Sequence, residues 1–508
     1  MEDILEHPLS GTKAARTPVS SGQTLRGRFL RGAFWSVVGV GTSQILSLAA
    51  SGVTARLLGR TGFGELAMIR STVGMFGVFA GMGLGLTATK HVAEFRERDP
   101  NRAGRIIGLS FMTAAASGGV ISLVVLFTAP VLATRVMNAP HLAPLIRIAA
   151  GLLFLNALNG VQTGTLAGFE AFKAIAKVNL IYGALSFPVT VVAVWLYGLT
   201  GAVCGLIALR AVRWALNRSA LVAETSAAMV SISHHRLREE SPVLWGFSLP
   251  AVLSGAMVGP VTWICNAMLV NHPDGYGELG VFAAASRFQA GVAFAGSTIG
   301  AAFLPMLSTK EGSESAGFRQ GNILVSWVIG VLAAVPLICF PEILGYAFGA
   351  EFSSVAAKRT LMLVMCSTCI ILYKQGLARA LTAEGLLWWG LLSNTIWAVL
   401  LLGSAWWLTQ RGAAGLAAAF LLAYGLNTVM FVPFYTRRGL VPKGTMVSPE
   451  AALIWMLIGG LAVLSVFTTS LLIRSIAACS CVVALYLTFR RLVPSLGSAQ
   501  PADGRQGT

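Results

Sequence analysis

Aspartate is nearly absent from this chain. The 508 residues contain four, Asp3, Asp99, Asp274 and Asp503, and none falls inside an apolar run. The glutamates lie in polar stretches or at the ends of apolar runs, as Glu65, Glu278, Glu342 and Glu384 do. No carboxylate pair stands where general acid–base work needs one, so no enzymatic centre is expected. There is no Gly-x4-Gly-Lys-Ser/Thr loop, which excludes a P-loop ATPase. Charged residues of all kinds make up 11% of the chain, against about 25% in soluble domains. Long polar loops are missing too. The longest on one face, near 131–142 and 346–356, leave no room for a catalytic domain. Residues 1–30 are polar and basic, without a short apolar stretch or a small-residue cleavage site, and read as a cytoplasmic tail rather than a signal peptide.

Apolar runs fill the rest. Hydrophobic residues are 55% of the chain, in fourteen runs of about 20 residues each, the length that crosses a bilayer as a helix. The first runs are 32–55 and 65–89 and the last are 449–470 and 473–491. The expected fold is therefore an all-α, polytopic membrane protein of fourteen transmembrane helices. The net charge of +17 sits in the loops between runs. With the N-terminus inside, 27 of the 37 lysines and arginines fall in cytoplasmic segments and eight in outside loops. Five of the 27 lie in 210–238. This bias predicts that both termini are cytoplasmic, and it accounts for the basic balance without nucleic acid. Trp388-Trp389 and Trp406-Trp407 bracket one run, as an aromatic belt at two interfaces does.

Seven cysteines lie in or beside apolar runs. Cys366 and Cys369 have the spacing of a redox or zinc pair, but no second pair or nearby histidine accompanies them, and all seven read as small buried hydrophobes. His234-His235-Arg236 reads as part of a basic loop rather than a metal site, since no carboxylate or cysteine lies near. No metal or cofactor is expected.

One short pattern is written twice. Gly-aromatic-Gly-Glu-Leu occurs at Gly62–Leu66 and again at Gly275–Leu279, 213 positions apart, both times between the same two runs of a set of six. Gly201-Ala-Val-Cys-Gly-Leu206 likewise meets Gly412-Ala-Ala-Gly-Leu416. Two six-helix lobes follow, related by a pseudo-two-fold axis along the membrane normal. The expected boundaries are a tail at 1–30, a first lobe at 31–222, a cytoplasmic linker at 223–241, a second lobe at 242–438, two further spans at 449–491 and a tail at 492–508.

Ala55-Arg-Leu-Leu-Gly-Arg60-Thr-Gly-Phe-Gly64, then Gly83-Leu-Gly-Leu before Lys90-His91, and Gly164-Thr-Leu-Ala-Gly-Phe-Glu170 carry a further resemblance. The chain resembles the Wzx-type oligosaccharide flippases, the polysaccharide transporters of the multidrug/oligosaccharidyl-lipid/polysaccharide exporter superfamily. That resemblance implies an undecaprenyl-diphosphate-linked oligosaccharide as substrate, turned from inner to outer leaflet for exopolysaccharide or O-antigen assembly. It also implies a bacterial inner-membrane setting, with a polysaccharide polymerase and co-polymerase as partners. Two alternatives stay open: a cation-coupled multidrug exporter of the same superfamily, and a flippase for the peptidoglycan lipid precursor. The lack of a deep carboxylate argues against the first.

A diphosphate needs a cationic path. An intramembrane arginine is costly and functional by default. Arg287, nine residues past Glu278, and Arg70, five past Glu65, are the two that lie within runs. Arg287 is therefore expected near mid-membrane and Arg70 nearer the outer interface. Arg26, Arg28 and Arg31, with Lys90, Lys374 and Arg379, are expected to gather the diphosphate at a cytoplasmic mouth. The amides Gln44, Asn156, Asn159, Gln162, Asn179, Asn266, Gln289 and Asn394 either line the sugar path or join helices.

Overall fold

Apolar backbone in lipid has no water to bond to, so each run must satisfy its amides internally, as helix. The computed structural model describes residues 25–233, 237–241, 257–301, 316–384, 386–441, 445–446 and 448–492. Among them there are helices and turns and no strand. In chain order they are α1 (Leu25–Gly81), α2 (Leu84–Phe95), α3 (Pro100–Val131), α4 (Ala143–Gly168), α5 (Phe172–Ala227), α6 (Val258–Val270) and α7 (Gly275–Ala301). Then follow α8 (Ala316–Cys339), the short α9 (Ile343–Phe348), α10 (Val355–Ala383), α11 (Leu387–Leu408), α12 (Gly412–Arg437), α13 (Pro449–Phe467) and α14 (Leu471–Leu492). Among the described residues eight helical stretches are long and apolar enough to cross a membrane, and those of 41, 56 and 50 residues are long enough to cross twice. The chain is a multi-pass helical membrane protein.

The long helices fold back at single residues. α1 turns at Gly59 (φ 70°, ψ 179°), a conformation closed to side chains with a Cβ. α5 turns at Tyr197 and Gly198. The expected run 65–89 is broken where Met82 and Gly83 both take positive φ, so its last residues begin α2. Elsewhere the starts are written in the sequence. Asp99 accepts a bond from the Arg102 amide ahead of Pro100, and Ser354 and Ser448 cap α10 and α13 in the same way. Leu25–Leu30, expected in the tail, already belong to α1.

α1, α3, α4 and α5 pack on one another, as do α7, α8, α10, α11 and α12. The two sets meet chiefly where α1 lies along α7 and α6. The turns at Gly59 and Gly198, with Asp274 and Gly412, lie at one end of the bundle, here the turn face; the opposite end is the tail face. α13 and α14 lean on α8. Trp327 of α8, fully buried, holds them there between Tyr373 of α10 and Trp455 of α13 (ring centroids 5.2 and 5.0 Å). At the turn face Arg474, 4% exposed, bonds to the Ser465 and Thr468 carbonyls and to Glu342. In the linker, Glu240 accepts bonds from Arg102 and Arg105 at the start of α3. His234, His235 and Arg236 lie outside the described residues.

Candidate functional site

The twice-written pattern is where the two halves meet. Phe63, 2% exposed, leaves the first copy and packs edge-on against Phe348 and Phe352 of the second half (5.8 and 6.3 Å). Tyr276 leaves the second copy and donates its hydroxyl to the Met137 carbonyl of the first half (2.9 Å). Each aromatic enters the other half's loop. The glycines let the backbones cross: a Cβ on Gly64 would lie 1.8 Å from the Tyr276 carbonyl oxygen, and one on Gly280 2.1 Å from that of Arg60. Arg60 pairs with Asp274, its second nitrogen lies 3.8 Å from Glu278, and its amide donates to Glu351 (2.6 Å). Arg56 donates to the Tyr346 carbonyl. Deeper in, Trp263 of α6 donates to Thr72 and Asn266 to Ser71 (3.0 and 2.9 Å). The turn face is closed.

The two glutamates of the pattern serve their own halves. Glu278 accepts the amide of Ala413 at the start of α12 (2.7 Å). Glu65 bonds His141 (2.7 Å). Burial and the nearby Glu65 both push the Tyr276 phenol well above its usual range, so it stays a donor.

Below this seal the arginines gather. The second limb of α1 begins directly after Gly59, so Arg70 is eleven residues into helix, and Arg287 is twelve residues past the start of α7. At 1.5 Å per residue both lie roughly 17 Å in, near mid-membrane. Arg70 is therefore deeper than its distance from Glu65 suggests. Arg287, Tyr182 and Arg210 all lie within electrostatic reach of Arg70. Arg210 lies twelve residues past the Gly198 turn in α5, at the same depth. The Arg210 and Arg213 guanidiniums stand 5.8 and 5.3 Å from the Tyr182 ring centre. Arg213 also donates to Asn179 (3.2 Å). Among the described residues no carboxylate pairs with any of these four. Arg70 and Tyr182 also border a cavity of about 50 Å³ lined by Ser47, Ser51, Thr54, Ser186 and Thr190 together with apolar side chains. That is room for a few waters.

The remaining expected cations lie elsewhere. Arg26, Arg28 and Arg31 are on the first turns of α1. Lys90 is exposed on α2 beside His91, which burial and then Lys90 hold below the usual imidazole range. Lys374 is bonded to Asn427 of α12, and Arg379 donates to Asn322 and Ser326 of α8. Both are thus tied inside the second half rather than to the Arg70 and Arg287 pair. Arg210, Arg213 and Tyr182 were not expected in the site. The charge count assigns Arg210 and Arg213 to the cytoplasmic segment 210–238; their depth after the Gly198 turn is the signal that places them in the bilayer.

Comparison with known proteins agrees with this architecture. The profile of the polysaccharide biosynthesis protein family matches residues 29–311, more than half the chain. The chain belongs to that family. A family relative from Ralstonia nicotianae, the EPS I polysaccharide export inner membrane protein EpsE, is 23% identical over 372 residues, covering 71% of this chain and 83% of its own. Among solved structures, the lipid II flippase MurJ in an inward closed conformation aligns with a TM-score of 0.70 and 13% identity, covering 90% of this chain and 99% of that one. An inward-facing multidrug resistance MATE transporter of the MOP superfamily aligns at 0.61 and 16%, covering 80% and 98%. At these identities the likeness establishes the MOP transporter fold. What separates polysaccharide biosynthesis proteins from other users of that fold must be read from the site, and here the site is cationic throughout.

Proposed function

We propose that this polysaccharide biosynthesis protein is an inner-membrane flippase for a lipid-linked oligosaccharide. It moves an undecaprenyl-diphosphate-linked repeat unit outward by alternating access between its two halves. One observation carries the reading: Arg70, Arg210 and Arg213 stand about Tyr182, Arg287 stands by Arg70, and among the described residues no carboxylate pairs with any of the four. Uncompensated guanidiniums in a low-dielectric interior are costly. A diphosphate is the complement that removes the cost, because Arg matches phosphate oxygens two at a time. Tyr182 offers a ring face to the cations and to a sugar. A cationic drug meets only repulsion there, which disfavours the multidrug reading. The export role printed for the EpsE relative points the same way.

In this reading the turn face looks outward and the structure is the outside-closed state. The membrane potential, negative inside, helps carry the diphosphate out, by about 2.3 kcal/mol per charge per 100 mV. The decisive experiment is gene deletion with two assays on the same cells. Loss of surface polysaccharide with the full-length lipid-linked repeat unit accumulating is the expected result. Accumulation of the peptidoglycan precursor would assign the other flippase role. Normal polysaccharide with altered tolerance of cationic drugs would overturn the proposal.

A further inference from the structure

A second polar centre lies inside the second half, and it differs from the arginine cluster in kind. The Lys374 ammonium of α10 donates to the Asn427 side-chain oxygen and stands 5.7 Å from the centre of the Tyr424 ring. Asn427 is fully buried and its orientation is fixed. Its amide nitrogen donates to the Ser393 carbonyl of α11 (2.9 Å), while its oxygen also accepts the Ser393 hydroxyl (3.1 Å). One lysine and one asparagine thus join three helices.

Among the described residues no charge opposes the amine. Tyr424 and Tyr435 come from α12, the latter reaching Ser393. α11 contributes no titratable side chain. Arg319 of α8 is bonded away at the Gly439 carbonyl, Arg379 at Asn322, and Arg287 of α7 belongs to the Arg70 group.

The matching place in the first half shows what packing alone requires. Asn217 follows Gly205 by twelve residues as Asn427 follows Gly415. Asn217 donates to Asn159 of α4 (3.1 Å), so neutral amides make the same bridge between helices. The bridge needs no charge, yet the second half places an amine in it. Every other cation deep in a described span is an arginine, which keeps its proton in any protein environment. An amine in a dry interior releases one readily. The Asn427 oxygen accepts a hydrogen bond from either –NH3+ or –NH2, so the bridge survives both states.

We propose that Lys374, held on Asn427, is a proton-binding site that couples protonation to the open or closed state of the turn face. The amine lone pair takes a proton from water when the site is wet and returns it to water when the second half closes around it, with no other bond changed. The inference rests on the transport reading only for the existence of two conformations. In the closed state seen here the ammonium has no counter-ion among the described residues, so loss of the proton favours closure over a wetter state. One linked proton changes the closed-to-open ratio by at most about tenfold per pH unit.

The test needs no substrate. Nitroxide labels at Thr61 and Tyr346, both exposed on the turn face and one on each half, report closure by their distance distribution in reconstituted protein. The exposed Cys204 and Cys479 are first replaced by serine. The closed fraction should rise between pH 6 and pH 10. Lys374→Met should stay closed throughout, and Lys374→Arg should lose the pH dependence. Asn427→Asp gives the amine a carboxylate and should move the midpoint to higher pH by more than one unit, which keeps the test open if Lys374→Met fails to fold. A parent protein without a transition, or variants that keep the parental curve, would overturn the proposal. Either result leaves the identity of the lipid-linked cargo to the deletion experiment.

Discussion

Gly64 of one turn lies against the Tyr276 carbonyl of the other, so closely that no side chain fits between them. The pattern Gly-aromatic-Gly-Glu-Leu is written twice because its two copies are a contact. Gly64 and Gly280 let the backbones cross, and each aromatic enters the opposite half. A turn needed only for local geometry would not require its copy to match.

Gly64→Val and Gly280→Val should therefore hold the turn face apart. The added carbons start about 2 Å from a carbonyl oxygen, well inside contact, and backbone cannot step aside as a long side chain does. The spin-label distance between Thr61 and Tyr346 should lengthen, and transport should fall by at least about tenfold, the effect of ~1.4 kcal/mol against closure. Gly62→Ala is the comparison, since its Cβ meets only the Leu58 side chain, at 3.1 Å. If both valine variants close as the parent does, the crossing is not the seal.

Arg60 should matter much less than its neighbours suggest. Its pair with Asp274 is 28% and 49% exposed, and exposed pairs contribute about 0–1 kcal/mol. Arg60→Ala should shift the melting midpoint by about 2 °C or less, and the shift should shrink in high salt. A large, salt-independent loss would mean that the charges, not the glycines, close the face.

Much of this was legible in the chain. The helices follow from apolar run length, and one five-residue match marks the two turns that meet. The depth of Arg287 was legible because it interrupts a run. Arg210 and Arg213 were not, because a run ending in basic residues looks the same whether they sit in lipid or in cytoplasm; only the Gly198 turn sets their depth. Lys374 and Arg379 resembled a mouth because both stand near the end of a run. The helix places them against Asn427 and Asn322, residues 53 and 57 positions away, and no local pattern carries that pairing.

The anchor of α14 should depend on pH. Burial raises the Glu342 carboxyl, but hydrogen bonds from Arg474 and Lys358 outweigh it and hold the group below the usual range. A depressed carboxyl contributes stability above its unfolded value, near pH 4.3, and loses it as pH falls through the folded value. Glu342→Gln should melt below the parent at pH 7, leaving buried Arg474 to two carbonyls. The two curves should converge below about pH 4. A constant gap would place the effect in shape rather than charge.

Arg70 should set function against stability. It stands in the field of Arg287 and Arg210, and among the described residues no carboxylate offsets them. Removing its charge relieves that repulsion, so Arg70→Gln should melt above the parent in detergent. Export should nonetheless fall, since a charge-assisted hydrogen bond to a diphosphate is worth about 1.5–3 kcal/mol, or tenfold and more. Arg287→Ala should abolish export at near-normal membrane levels. Arg287→Lys should recover part of it, keeping the charge without the planar fork. The paired readout separates a site from a scaffold: a structural arginine loses stability and export together, whereas a substrate-binding one loses export and gains stability. Full export by both Arg70→Gln and Arg287→Ala would remove the cluster from the path.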